Sequence, residues 1–123
     1  MQREMLKEQR VNGVEMQRVF MNLFVNAIQA IEGFGKIRIA TEQKGEQICI
    51  RVSDTGKGIR EQDLGKVFDP GFTTRQSGVG SGLGLSISFN IIKKHHGRIE
   101  VDSEPDKGAE FTIWLPAGKE TED

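Results

Sequence analysis

Two asparagines four residues apart, Asn22 and Asn26, fall on one side of an apolar helical pattern. Asparagine is a mediocre helix-interior residue because its amide competes with the backbone for hydrogen bonds. At this spacing the two amide oxygens can be offered together to a hard cation, or to one carried on phosphates; a solvated helix edge is the plainer account. A second feature, Asp54-Thr55-Gly56-Lys57-Gly58-Ile59, sets a carboxylate ahead of G-x-G. Those glycines let backbone approach a planar ligand closely, or simply make a tight turn. An acid there can accept from an exocyclic amine, which adenine carries and guanine replaces by an oxygen. The third feature is Gly78-Val79-Gly80-Ser81-Gly82-Leu83-Gly84-Leu85, directly before a second apolar helical pattern. Glycine-rich backbone leading into a helix N-terminus offers free N–H groups and a favourable dipole to phosphate oxygens.

Between the two glycine runs lies Phe68-Asp69-Pro70-Gly71-Phe72-Thr73-Thr74-Arg75. It reads as a loop with two phenylalanine anchors, followed by hydroxyls and an Arg able to pair with outer phosphate oxygens; a solvated surface charge is the simpler role for Arg75. Two familiar phosphate motifs are excluded. The G-x-x-x-x-G-K-[ST] of a P-loop is missing. A dinucleotide fingerprint begun at Gly80 needs its third glycine where Leu85 stands, and the segment before it is polar rather than strand-like.

Regular elements must position these groups, and hydrophobic periodicity supplies them. Val19, Phe20, Leu23, Phe24, Ala27, Ile28 and Ile31 predict an amphipathic helix over 15–31, stopped by Gly33 and Gly35. Alternation predicts strands over 36–42 and 47–53, joined at Lys44-Gly45-Glu46. Ile48, Ile50 and Val52 share one face, and the same period places Asp54 there too. A carboxylate continuing a buried apolar row is costly unless hydrogen-bonded, so Asp54 asks for a partner. A short helical piece is expected near 61–68. From Gly82 a helix carrying Leu83, Leu85, Ile87, Phe89, Ile91 and Ile92 is apolar almost all round, hence expected deep in the core, and ends at Gly97. A second hairpin, 98–103 with 109–115, turns at Pro105-Asp106-Lys107-Gly108. This order gives an α/β (α+β) two-layer sandwich, a mixed, largely antiparallel sheet covered on one face by helices. Residues 1–12 read as a charged stub or linker from upstream domains, 13–117 as the domain and 118–123 as a charged tail.

Composition narrows the function classes. The 123 residues suit one domain, and 17 basic against 18 acidic residues leave no basic face for nucleic acid. A single cysteine, Cys49, excludes an internal disulfide and a cysteine-based metal site; it reads as a strand side chain. No apolar run approaches the ~18 residues of a membrane span, and the first residues are too polar for a secretory signal, so a cytoplasmic setting is expected. Glycine is the unusual count: eight of 15 fall between Gly56 and Gly84.

Taken in order, these segments closely resemble the catalytic and ATP-binding domain of sensor histidine kinases, most of all the nitrogen-regulation type, within the superfamily of gyrase, Hsp90 and MutL. The likeness runs over 17–116 and covers four boxes: the N-box (Asn22-Leu23-Phe24-Val25-Asn26-Ala27), the first glycine box (Asp54–Ile59), the F-box (Phe68–Thr74) and the second glycine box (Gly80–Leu85). The resemblance implies a Bergerat-type fold that holds ATP and Mg2+. It implies that Asn26 binds Mg2+, that Asn22 assists at the phosphates, and that Asp54 holds the adenine amino group beside Gly56, Gly58 and Ile59. Phe68, Thr73 and Thr74 come from the F-box. Gly80, Ser81, Gly82, Leu83, Gly84 and Leu85 are implied along the triphosphate, with residues 69–81 as a lid.

The departures from the family pattern bear on mechanism. Gln29 stands where many relatives carry lysine, which leaves Arg75 as the cation for the phosphates. Gly71 replaces a frequent phenylalanine, and Ala109 a frequent Ser or Thr. Asn22 occupies the position where gyrase-like ATPases that activate water carry Glu, which favours transfer to another acceptor over hydrolysis. The implied reaction moves the γ-phosphoryl group of ATP to a histidine on a separate dimerisation domain, with a response regulator downstream. His95 and His96 lack the acid and proline context of a phospho-accepting histidine and read as structural. The chain alone is therefore expected to be a monomer that binds MgATP without phosphorylating itself. A regulatory ATP-binding module, or an anti-sigma-type serine kinase of the same fold, is the alternative.

Overall fold

In the computed structural model, which describes residues 12–72 and 84–116, the chain runs α1 (Gly13–Ala30), β1 (Ile37–Lys44), β2 (Gln47–Asp54), α2 (Glu61–Leu64), α3 (Gly84–Lys94), β3 (Arg98–Ser103) and β4 (Ala109–Pro116). Helix α1 starts where Asn12 caps it: the Asn12 side chain accepts from the Glu15 N–H at 3.0 Å, and its carbonyl takes the N–H of Met16. Both expected hairpins form, and β2 pairs with β4 to join them, giving the order β1-β2-β4-β3. Every pairing is antiparallel, so among the described residues the sheet is antiparallel throughout rather than mixed.

Register decides which side chains meet. Val52 and Val101 both lie opposite Phe111, and Ile50 and Ile99 both lie opposite Ile113, so one face of the central strands is a continuous apolar surface. Helices α1 and α3 cover that face through Val19, Leu23, Ile91 and Ile92. Removing such side chains from water stabilises by about 1.5–3 kcal/mol each, which is what holds the two layers together. The aromatic Phe68, beyond α2, packs into the same core, 5.3 Å from the Phe89 ring and 6.2 Å, edge-on, from Phe111.

Two expectations about the helices are corrected. The buried face of α1 is Met16, Val19, Leu23 and Ala27, whereas Phe24 and Ile28 are 40% and 51% exposed. On α3 the buried set includes Ser86 and Ser88, while Leu85, Ile87 and Phe89 are only half-buried. Apolar count alone drew the α1 stripe too wide and set α3 too deep. At the start of α3 the seam between them is polar and small, where α1 presents Asn22 to Gly84 and Ser88.

The far end of that seam is clasped by ions and hydrogen bonds. Lys94 reaches Glu15 at 2.6 Å. His95 Nε2 accepts from the Asn12 N–H at 3.1 Å, and its Nδ1 lies 2.9 Å from the Ile91 carbonyl. A carbonyl only accepts, so the proton sits on Nδ1; His95 is structural, as expected. Helix α3 closes with a Schellman turn: the His96 N–H donates to Lys93 O and the Gly97 N–H to Ile92 O, each at 2.9 Å. The left-handed position is His96, at φ 66°, not the glycine. Gly97 is required for a different reason, since a Cβ there would lie 2.2 Å from the Trp114 carbonyl oxygen.

The helix-free face of the sheet is polar. Its large aromatic, Trp114, lies beneath Arg98 (4.7 Å) and Lys44 (5.7 Å), directly across from the buried free thiol of Cys49. No helix among the described residues is long and apolar enough to cross a membrane.

The adjacent residues at the end of α3 should therefore respond in opposite directions. His96→Gly relieves a left-handed backbone and should stabilise by about 1 kcal/mol. Gly97→Ala must displace the β4 backbone and should destabilise by clearly more. Urea unfolding followed by Trp114, the sole tryptophan, checks both; equal effects would contradict this account of the turn.

Candidate functional site

Asp54 ends β2 on the helix-covered face, in the row of Ile50 and Val52. It is 8% exposed. Its Oδ1 accepts from the Gly56 N–H at 2.7 Å, and the carboxyl also receives the Ala109 backbone N–H. Burial raises the pKa of Asp54 from its ordinary 3.8, and the two backbone N–H groups partly oppose that rise. These donors fix the carboxyl while leaving acceptor capacity for an incoming amine.

The loop after Asp54 is stapled on three sides. Thr55 exchanges bonds with Lys36, its N–H donating to the Lys36 carbonyl at 3.1 Å and its hydroxyl accepting the Lys36 N–H at 2.9 Å. The Lys57 N–H donates to Ala30 O at the end of α1, and the Lys57 carbonyl accepts from the Asp106 N–H. The Ile59 N–H donates to Ser103 Oγ, whose hydroxyl donates to Gly108 O. The glycines of this loop answer to neighbouring backbone. A Cβ on Gly56 would lie 2.4 Å from Ala30 O, and one on Gly58, at φ +74°, would lie 2.1 Å from Glu104 O.

Asn22 and Asn26 are both half-buried on α1. Asn22 Nδ2 donates to the Gly84 carbonyl at 3.0 Å and to Ser88 Oγ at 3.2 Å, which binds the first turn of α3 to α1. Among the described residues nothing is hydrogen-bonded to the Asn26 amide. No cluster of three or more His, Cys, Asp or Glu among the described residues could hold a metal. Neutral amide oxygens beside ligand phosphates still fit Mg2+, which takes few protein ligands and prefers oxygen.

The structure places Asp54, Gly56, Gly58 and Ile59 at one end of the sheet, and sets Asn22 against Gly84, which precedes Leu85 in the first turn of α3, with Asn26 one turn further along α1. Phe68 sits in the core between α3 and β4. Thr73, Thr74, Arg75, Gly80, Ser81, Gly82 and Leu83 lie outside the described residues. A cavity of about 260 Å3 adjoins Asp54 at the end of the sheet, but its rim sets Asp102, Glu104 and Glu110 against Lys107 alone, a net negative charge unsuited to polyphosphate. Sequence reasoning missed Ser88 and Ser103. Ser103 was detectable, because it continues the Ile99–Val101 alternation as a polar residue, just as Asp54 does in β2. Ser88 lies in an apolar helical run with no local signal of its partner.

Comparison with known proteins agrees with this fold. Residues 12–119 match the family described as histidine kinase-, DNA gyrase B-, and HSP90-like ATPase. The sensor histidine kinase ZraS of Escherichia coli (strain K12) is 41% identical over 111 residues, covering 90% of this chain and 23% of that protein. Among solved structures, the mycobacterial sensor histidine kinase MprB superposes with a TM-score of 0.82 at 26% identity, covering 91% of this chain and 78% of that one. Full-length ShkA, solved in complex with AMPPNP, gives a TM-score of 0.76 at 25% identity, over 88% of this chain and 22% of that one. The chain spans about a quarter of the length of the curated relatives it matches.

The raised pKa of Asp54 has a definite sign for stability. The folded state holds this proton more tightly than the unfolded chain, so Asp54 costs stability as pH rises from below its ordinary value through its own. Asp54→Asn has no proton to give up. The wild-type stability should therefore fall relative to the variant as pH rises above about 4, by urea unfolding at several pH values. A difference independent of pH would refute the assignment.

Proposed function

Because the chain belongs to the family of histidine kinase-, DNA gyrase B-, and HSP90-like ATPases, we propose that it binds ATP with Mg2+ and donates the γ-phosphoryl group to a histidine on a separate dimerisation domain. The observation that carries this is Asp54. A buried carboxyl at the end of an apolar row, held by the Gly56 and Ala109 N–H groups, is an acceptor awaiting a donor. The adenine amino group supplies that donor, and the apolar row beside it suits a flat base. The Lys57 N–H on Ala30 O and the Ile59 N–H on Ser103 Oγ hold the loop, with Gly56 and Gly58 permitting the close approach, so the carboxyl is already in place before ligand arrives.

The phosphates then run toward the α1–α3 seam. The N-terminal end of α3 directs backbone N–H groups and its dipole at them, with Gly80, Ser81, Gly82, Leu83, Gly84 and Leu85 as the proposed lining. Asn26 would hold Mg2+, whose charge offsets that of the phosphoryl oxygens, with Asn22 assisting at the phosphates. Thr73 and Thr74 are proposed over the nucleotide, and Arg75 as the cation that meets the transferred group. Asn22 is no general base, so it does not activate water; the acceptor is a histidine brought in by another domain. The names of the curated relatives and the AMPPNP held by ShkA, an adenine nucleotide analogue, support the same function. A response regulator would take the phosphoryl group next.

Three outcomes test this. With labelled ATP, the chain alone should stay unlabelled, and a histidine-bearing helical dimerisation domain added to it should gain acid-labile label. Acid-stable label on the partner would instead support serine phosphorylation. Asp54→Asn should weaken ATP binding at least about tenfold by calorimetry on a folded variant, because an amide nitrogen then faces the adenine amine. Asn26→Ala should erase the difference in affinity between Mg2+ and EDTA; wild-type binding that is equal in both would overturn the metal assignment.

A further inference from the structure

Ser88 is the most deeply buried polar side chain among the described residues, at 0% exposure. It sits in the middle of the α3 face that meets α1, where an apolar side chain would fill the space without needing a partner. Its hydroxyl oxygen lies 3.2 Å from Asn22 Nδ2, which is also 3.0 Å from the Gly84 carbonyl oxygen. A backbone carbonyl can only accept, so the amide must face α3 with its nitrogen. That nitrogen has two protons: Gly84 takes one and Ser88 the other.

Nothing remains on the Asn22 nitrogen for a phosphate oxygen. What Asn22 can offer a ligand is Oδ1, which lies 3.6 Å from where a Cβ on Gly84 would be, beside the first residue of α3. An amide oxygen accepts only, so its partners are a cation, a water carried by one, or an N–H donor. The neighbour one turn along α1, Asn26, offers the same chemistry.

We propose that Ser88 is a positioning residue that holds Asn22 with its oxygen turned to the bound cation, so that the helix presents two neutral oxygens rather than one oxygen and one N–H. This rests on the MgATP function proposed above and sharpens it, since it assigns Asn22 to the metal side of the nucleotide. Without the Ser88 hydroxyl, one amide proton at this part-buried site loses its acceptor. The amide then swings to recover a partner and carries Oδ1 away from the seam.

The test uses the 15N-labelled 123-residue chain. In the free wild type both Asn22 side-chain amide protons should exchange slowly with solvent; in Ser88→Ala one should exchange faster, and Ser88→Thr should restore its protection. Calorimetry with ATP in Mg2+ and in EDTA supplies the second readout. Ser88→Ala should lose about tenfold of the Mg2+-dependent gain in affinity while its affinity in EDTA stays within about twofold of wild type, and Ser88→Thr should recover the gain. Equal losses in Mg2+ and EDTA would mark Ser88 as packing only, and no loss would overturn the proposal outright. If Ser88→Ala does not fold, Ser88→Thr against the equally shaped Ser88→Val makes the same comparison. Should the wild type bind no nucleotide, the ATP function fails, and freely exchanging Asn22 protons would separately refute the role of Ser88.

Discussion

A carboxylate buried at the end of an apolar strand can persist only if donors are brought to it, and much of this fold serves that requirement. The Gly56 N–H reaches Asp54 because the next residue is tied to Ala30 at the end of α1 and, through its carbonyl, to Asp106 in the β3–β4 hairpin. The Ala109 N–H reaches it because β4 starts beside β2, with Gly108 passing so close to the Asp54 carbonyl that a Cβ there would lie 2.0 Å from it. One helix end, one strand end and one hairpin therefore converge on a single side chain. The cost of burying that charge appears as a raised pKa, and the gain is an acceptor whose direction is set in advance.

The α1–α3 seam shows the same economy from the other side. Helix α1 buries Val19, Leu23 and Ala27 against the sheet and turns Asn22 and Asn26 along its flank. Helix α3 answers with small and hydroxylic groups, Gly84 and Ser88, rather than with its larger apolar residues. The rotation of each helix is thus a compromise between core burial and satisfaction of one amide. Leu85, Ile87 and Phe89 stay half-buried at the edge of the core, and Phe24 and Ile28 face outward.

Much of this was legible beforehand. The hairpins, the first helix and the inward Asp54 follow from alternation, spacing and turn residues, which are local properties. The family resemblance carried the motifs the rest of the way to a nucleotide site. The purposes of individual glycines were not legible in the same way. Gly56 and Gly58 stand in a motif that suggests room for a ligand, yet the atoms that forbid a Cβ there belong to Ala30 and Glu104, 26 and 46 residues away in the chain. Gly97 looked like a helix stop, but the stop is His96, and Gly97 yields to the Trp114 carbonyl.

The sequence by itself determined the order of the elements, the candidate chemistry of Asn22, Asn26 and Asp54, and the identity of the turns, because each depends on residues close together in the chain. Only the tertiary structure decided which way the Asn22 amide faces. The rotation of α1 and α3 depends on how two surfaces fit, and an amide has no preferred direction until its partners are named. Gly84 and Ser88, 62 and 66 residues beyond Asn22, are those partners. A backbone carbonyl that can only accept is what turns the Asn22 nitrogen inward and leaves its oxygen for a ligand.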